Sequence, residues 1–207
     1  ATTPLRPEAR AAMLDGFALW ANPSSPHAAG RKARAALEDA RERIKAALGW
    51  DGEVIFTSGA SEALELAMRQ ADTGTQFVSA VEHEAVLKAA PHAEILPVGP
   101  DGLLNDAACE RILAVADRPL VALQKVNSET GVGQWFGRPA AAVRKRGGLL
   151  LSDAAQSAGK IALRPYDEES DMIVVSAHKL GGPVGVGALL VKDFAMLRPG
   201  GGQERGF

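Results

Sequence analysis

Seven short apolar runs recur along this chain, and stretches of helical length separate most of them. The runs are Val54-Ile55-Phe56, Phe77 to Val81, Ile95 to Val98, Leu120 to Leu123, Gly148 to Leu151, Met172 to Val175 and Val186 to Val191. Most are apolar at consecutive rather than alternate positions, so both faces of each strand must be covered, as in a parallel sheet packed between helices. Ser61 to Gln70, Glu84 to Ala90, Asp106 to Ala116 and Pro139 to Arg146 supply the intervening helices. The expected fold class is α/β in three layers, a mostly parallel sheet with helices on both faces.

Ahead of the first run, Glu8 to Trp20 and His27 to Leu48 read as two further helices, parted by the loop Asn22-Pro23-Ser24-Ser25-Pro26. The second has an apolar side of Ala33, Ala36, Leu37, Ala40, Ile44, Ala47 and Leu48, and Gly49 ends it. Basic residues gather between Arg31 and Lys45, but Glu38, Asp39 and Glu42 interleave with them, the pattern of a solvated helix face. With a net charge of −2 over 207 residues, nothing points to nucleic acid or an anionic membrane. No run is long enough to span a bilayer. The first residues, Ala1 to Pro7, lack the apolar core of a signal peptide, and a cytoplasmic location is expected. Cys109 is the only cysteine, so no disulfide forms within the chain.

In open α/β sheets, ligands sit beyond the carboxyl ends of the strands, so the residues that follow each apolar run are the candidates for chemistry. Thr57-Ser58-Gly59-Ala60-Ser61-Glu62 after the first run offers a small-residue turn and a helix start, where free N–H groups and the helix dipole favour an anion such as phosphate. His83 after the second could move protons or stack on a flat ring. His83-Glu84 opens like a zinc-protease motif, but Leu87 stands where the second histidine belongs, and no metal site is expected. Gln124 to Gly131 brings amides and hydroxyls to the fourth strand end. Asp153 follows the fifth run, where a carboxylate needs a cationic or hydrogen-bonding partner. Lys179 follows the sixth beside His178 and a glycine-rich turn, and a partly desolvated lysine is nucleophilic toward aldehydes. Each feature alone also has an ordinary reading as a cap, a loop side chain, an ion pair or a surface lysine. Together they are the parts a pyridoxal phosphate site needs: N–H groups for the phosphate, a carboxylate for the ring nitrogen and an amine for the aldehyde.

These stretches resemble the cysteine desulfurase family within the class V aminotransferase-like, fold-type I pyridoxal phosphate enzymes. The resemblance is carried by Ala1-Thr2-Thr3-Pro4, Asn22 to His27, Phe56 to Glu62, Glu82-His83, Asn127 to Gly131, Asp153 to Gln156, Ser176 to Lys179, Gly182-Pro183 and Gly200 to Gly206, in the family's order. It implies that Lys179 forms the Schiff base with pyridoxal 5′-phosphate, that Asp153 pairs with the pyridine nitrogen, and that Gln156 bonds the ring hydroxyl. His83 would stack on the ring and shuttle protons, making Lys179 and His83 the catalytic residues. Ala60, Ser61, Ser176 and His178 would hold the phosphate. Asn127 and Ser128 stand at the family's asparagine-rich motif, with Ser128 where the family usually has asparagine, and Ser61 stands where threonine is common.

The implied reaction converts L-cysteine to L-alanine and passes the sulfur to a cysteine of the enzyme, in the setting of iron–sulfur cluster assembly, with a homodimer and a sulfur-acceptor protein as partners. That cysteine is not Cys109, which is expected to be structural or inert. By the resemblance, residues 1–207 are the cofactor-binding large domain, truncated at both ends, and the small domain with the attacking cysteine and a carboxylate-binding arginine is absent. A selenocysteine lyase, an aminotransferase and a non-catalytic cofactor-binding or scaffold subunit are the alternatives.

Overall fold

The computed structural model describes residues 2–163, 169–201 and 207. Ala1 and Gly202-Gln203-Glu204-Arg205-Gly206, which contribute to the family resemblance, lie outside the described residues. Each of the seven apolar runs forms a strand: β1 (Glu53–Thr57), β2 (Gln76–Ser79), β3 (Glu94–Leu96), β4 (Leu120–Gln124), β5 (Leu149–Asp153), β6 (Met172–Ser176) and β7 (Gly187–Val191). They make one sheet in the order β1-β7-β6-β5-β4-β2-β3. The pairs β2–β3, β2–β4, β4–β5 and β5–β6 are parallel, whereas β7 runs against both β1 and β6. The reversal has a simple cause. Residues 177–186 between β6 and β7 hold only one 3-10 turn, Ala177–Lys179, and a parallel return needs a crossover of a dozen residues or more.

Among the described residues six α-helices accompany the sheet: α1 (Pro7–Ala18), α2 (Ala28–Leu48), α3 (Ala60–Gln70), α4 (Glu84–Ala89), α5 (Asp106–Leu113) and α6 (Gly137–Lys145). Alternate strand residues face opposite layers. Ile55, Leu120, Ala122, Leu151, Val174 and Leu189 pack with Ala63, Leu64, Ala67 and Met68 of α3 and Val86 of α4. On the other face, Phe77, Val121, Leu123 and Leu150 pack with Cys109 and Leu113 of α5 and Ala140 and Val143 of α6. Farther along that face, Val54, Ile173, Val175 and Leu190 meet Ile44 and Leu48 of α2. The three-layer architecture expected from the continuous apolar runs is therefore present.

The helices before the sheet differ in detail from expectation. Pro7 opens α1 at the position proline favours, and the helix closes at Ala18, two residues before Trp20; none of its residues is buried. The α2 helix starts on His27, whose Nδ1 accepts from Gly30 N at 3.1 Å, and stops at Gly49, whose φ of 65° suits glycine. Ala36 and Ala47, expected on its buried side, are exposed. The basic face is also not wholly solvated. Arg41 is 3% exposed, donates to Val54 O at 3.2 Å and to Glu38 Oε1 at 2.8 Å, and lies over the Phe56 ring. Its planar guanidinium covers apolar surface while its donors are satisfied.

Topology fixes where a ligand can bind. From β2 the chain moves outward to β3 and then crosses to β4 on the other side of β2. Such a reversal opens a crevice beyond the carboxyl ends of the two strands. Because β1 and β6 are both antiparallel to β7, they point the same way as β2, β4 and β5, and all five deliver their following loops to one edge.

Candidate active site

A cavity of about 320 Å³ lies at that edge, within the size range of small-molecule sites. Lys179 enters it from the turn after β6, Asp153 from the end of β5, His83 from the turn after β2, and Ala60 and Ser61 from the start of α3. Ser128, Gln156, Ser176 and His178 also line it. Residues separated by more than a hundred positions in sequence thus meet because their strands end together.

Backbone packing sets the anion-binding end. No side chain caps the start of α3, so its first N–H groups remain directed outward. A Cβ on Gly187 would stand 2.6 Å from Gly59 Cα and from its carbonyl carbon, so only glycine lets β7 approach the turn that starts α3. Opposite, Ser176 Oγ and His178 Nδ1 are 3.0 Å apart. The His178 carbonyl accepts from Thr3 N at 3.0 Å and from Thr3 Oγ1 at 3.2 Å, and Arg6 N donates to Gly181 O at 2.9 Å. The early chain therefore clamps the turn that carries Lys179 on both sides.

Orientation of the polar side chains is equally specific. His83 caps α4, its Nδ1 accepting from Ala85 N at 3.1 Å, which leaves the Nε2–H tautomer when the ring is neutral. Lys160 Nζ donates to Gln156 Oε1 at 3.1 Å, so the Gln156 amide keeps its Nε2 as a donor. Asp153 is 8% exposed and its Oδ1 accepts from Ala155 N at 2.9 Å. Burial raises its proton affinity, opposed by that hydrogen bond and by His83 and Lys179. Asn127 does not line the cavity. Its Nδ2 donates to Val81 O at 3.1 Å and its Oδ1 accepts from Glu129 N and Thr130 N, so the side chain ties the loop after β4 to the turn after β2.

Two neighbours of the site stand in stretches the sequence singles out, but without a role of their own. Gln124, the last residue of β4, lines the cavity and donates through Nε2 to Val81 O. Glu82 lies in the interior at the end of the β2 turn, 8% exposed, with burial pushing its pKa up to about 8. A charged residue directly after an apolar run was the available signal, and the histidine beside it carries the more familiar chemistry. Cys109, by contrast, is fully buried on the inner face of α5, and burial pushes its thiol up to about 11, the environment of an inert thiol. No group of side chains able to hold a metal ion occurs among the described residues.

An open sheet with an amine, a buried carboxylate and an uncapped helix start around one crevice defines an α/β protein built to bind a small anionic ligand at its carboxyl edge. A family model described as aminotransferase class-V matches residues 1–204, and the chain belongs to that family. It is 37% identical to cysteine desulfurase IscS of Rickettsia felis, over 100% of this chain and 55% of that protein. It is 35% identical to a probable mitochondrial cysteine desulfurase of Dictyostelium discoideum, over 99% of this chain and 50% of that protein. Among solved structures, a NifS-like protein from Rickettsia africae superposes with a TM-score of 0.90 at 29% identity, covering 99% of this chain and 61% of that one. SspA in complex with cysteine gives a TM-score of 0.85 at 32% identity, covering 99% of this chain and 65% of that one. The chain spans about half the length of the curated relatives it matches.

Proposed function

We propose that this chain is the pyridoxal-phosphate-binding part of a cysteine desulfurase, which converts L-cysteine to L-alanine and passes the sulfur to a cysteine thiolate. The observation that carries the reading is the convergence of Lys179, Asp153 and the uncapped start of α3 on one cavity. These residues fit pyridoxal phosphate, whose dianionic phosphate, basic ring nitrogen and aldehyde match those three groups. When bound, that cofactor supplies an aldehyde for amine chemistry and a cationic ring that withdraws electrons.

The chain's own residues then have distinct tasks. The N–H groups at Ala60 and Ser61, with Ser176 and His178, bind the phosphate. Asp153 holds the proton of the ring nitrogen, since a buried carboxylate is stabilised by a cation facing it. Gln156, its Oε1 engaged by Lys160, donates from Nε2 to the ring oxygen. Lys179 supplies the amine, and no hydrogen bond or ion pair among the described residues fixes its ammonium. His83, held through Nδ1, carries a proton on Nε2. Cys109 is too deeply buried to be the sulfur acceptor. L-cysteine as substrate is supported by the naming of the relatives and by the SspA structure with cysteine. Family resemblance supports a homodimer, a separate sulfur-acceptor protein and residues 1–207 as the large domain. The unpaired single cysteine suits the reducing cytoplasm.

The test is direct. Pyridoxal phosphate added to the chain should give a visible absorbance band. Borohydride reduction should then fix the cofactor to the peptide carrying Lys179, and Lys179→Ala should lose both. L-cysteine should perturb the band. Absence of a band in folded protein sinks the cofactor assignment; a band indifferent to L-cysteine sinks the substrate.

A further inference from the structure

Two carboxyl groups lie buried behind the cavity, and only one has cations beside it. Asp153 faces Lys179 and His83. Glu82 reaches the same region from the β2 turn, where its Oε1 accepts from Ser79 Oγ at 2.5 Å and from Gln124 N at 2.9 Å. Its Oε2 is buried without a hydrogen-bond partner. The charge that bears on Glu82 is that of Asp153, which is of like sign. His83 follows it in the chain with Nδ1 engaged by Ala85 N, and the nearby Lys125 lies 4.3 Å from the centre of the Phe136 ring. An ionised carboxylate with one oxygen buried and unpartnered, near a second carboxylate, is costly; the neutral form, its carbonyl oxygen accepting two hydrogen bonds and its O–H without an acceptor, costs less.

We propose that Glu82 is a positioning residue that carries the proton of this buried pair at neutral pH, leaving Asp153 to carry its single negative charge toward the ligand. Glu82 Oε1 accepts from the N–H of Gln124, which pairs with Asp153 across the sheet, so the two carboxyl groups belong to neighbouring strand ends and charge on one disfavours charge on the other. Lys179 and His83 favour charge at Asp153 against the effect of its burial, whereas among the described residues no cation does so at Glu82, whose Oε2 has no partner at all. Glu82 thus acts through Asp153, and the pair presents one charge to a monocationic ring rather than two. The nature of that ring rests on the proposed function; the location of the proton does not.

The experiment therefore uses the cofactor-free chain. Infrared difference spectra between about pH 6 and about pH 10 should show the carbonyl stretch of a buried neutral carboxyl group that disappears with a midpoint of about 8. Glu82→Gln should remove the signal. Asp153→Asn should keep it and lower its midpoint by about half to one unit, because a like charge is gone. Ser79→Ala should raise the midpoint, because a donor to the ionised form is lost. The two last variants decide the matter even if Glu82→Gln fails to fold. A signal lost in Asp153→Asn, or one absent from the unaltered chain at neutral pH, overturns the proposal. A separate titration with pyridoxal phosphate tests the cofactor reading, so failure of one is not mistaken for failure of the other.

Discussion

Asp153 and Glu82 have higher proton affinities folded than a free carboxylate has, and this has a consequence for stability. Over the range where the unfolded chain has already released these protons and the folded chain still holds them, raising the pH favours unfolding. For Glu82 the contribution to stability is fully present below the ordinary carboxylate pKa of about 4.3 and is lost as pH rises through about 8. Urea midpoints of the cofactor-free chain measured against pH should fall across this window, and Glu82→Gln should flatten the fall. At the same scale, Cys109 should resist Ellman's reagent in the native state and react fully in denaturant; rapid native labelling would contradict its burial. Lys179, His83 and Asp153 were legible in the sequence because each is a chemically loaded residue within a few positions of the end of an apolar run. Asn127 was conspicuous in the same way, yet its amide is consumed in holding two turns together. Hydrogen-bond partners distinguish such cases, and a sequence does not state them. Glu82 stood in plain view after its apolar run, but its burial and its unpartnered oxygen do not show in the sequence.

Strands were legible as elements because a strand covered on both faces has to be apolar throughout. The α2 helix was less so. Its apolar stripe runs its whole length, but only the end carrying Ile44 and Leu48 reaches the sheet, and Ala36 and Ala47 face solvent. Arg41, read as part of a solvated face, instead reaches back to the Val54 carbonyl. Two substitutions test the packing of elements. Gly187→Val brings a side chain against the backbone of Gly59, which cannot move aside as a side chain would; a loss of about 1–3 kcal/mol in unfolding free energy is expected. The same change should weaken pyridoxal phosphate binding, because it displaces the start of α3 from the cavity. Leu151→Ala, in the centre of the sheet with no exposed surface, should cost about 2–5 kcal/mol by denaturant unfolding.

For the molecule as a whole, the class of the fold followed from its alternating pattern, but the strand order did not. Nothing in the apolar runs says that β7 inserts between β1 and β6, since all seven runs have the same character. The short link 177–186 was the physical hint that the sheet would reverse there. A ligand that binds only the folded state stabilises all of it. Pyridoxal phosphate at a hundredfold excess over its dissociation constant should add about 2.7 kcal/mol, read as a rise in denaturation midpoint. Lys179→Ala should need far more cofactor for the same rise. No change in midpoint at saturating cofactor would mean that the cavity does not bind it.

The clamp that Thr3 places on the His178 carbonyl joins residues 175 positions apart. On the ribosome, Thr3 emerges long before the turn it grips has been translated, and β1 likewise waits for β7, the strand it pairs with among the described residues. The crevice is thus assembled from stretches far apart in sequence, and a nascent polypeptide halted before residue 187 leaves β1 without β7 to pair with. Contacts of such long sequence separation make folding slow. During that interval the unpaired edges of β1 and β6 are the surfaces a chaperone has most reason to shield.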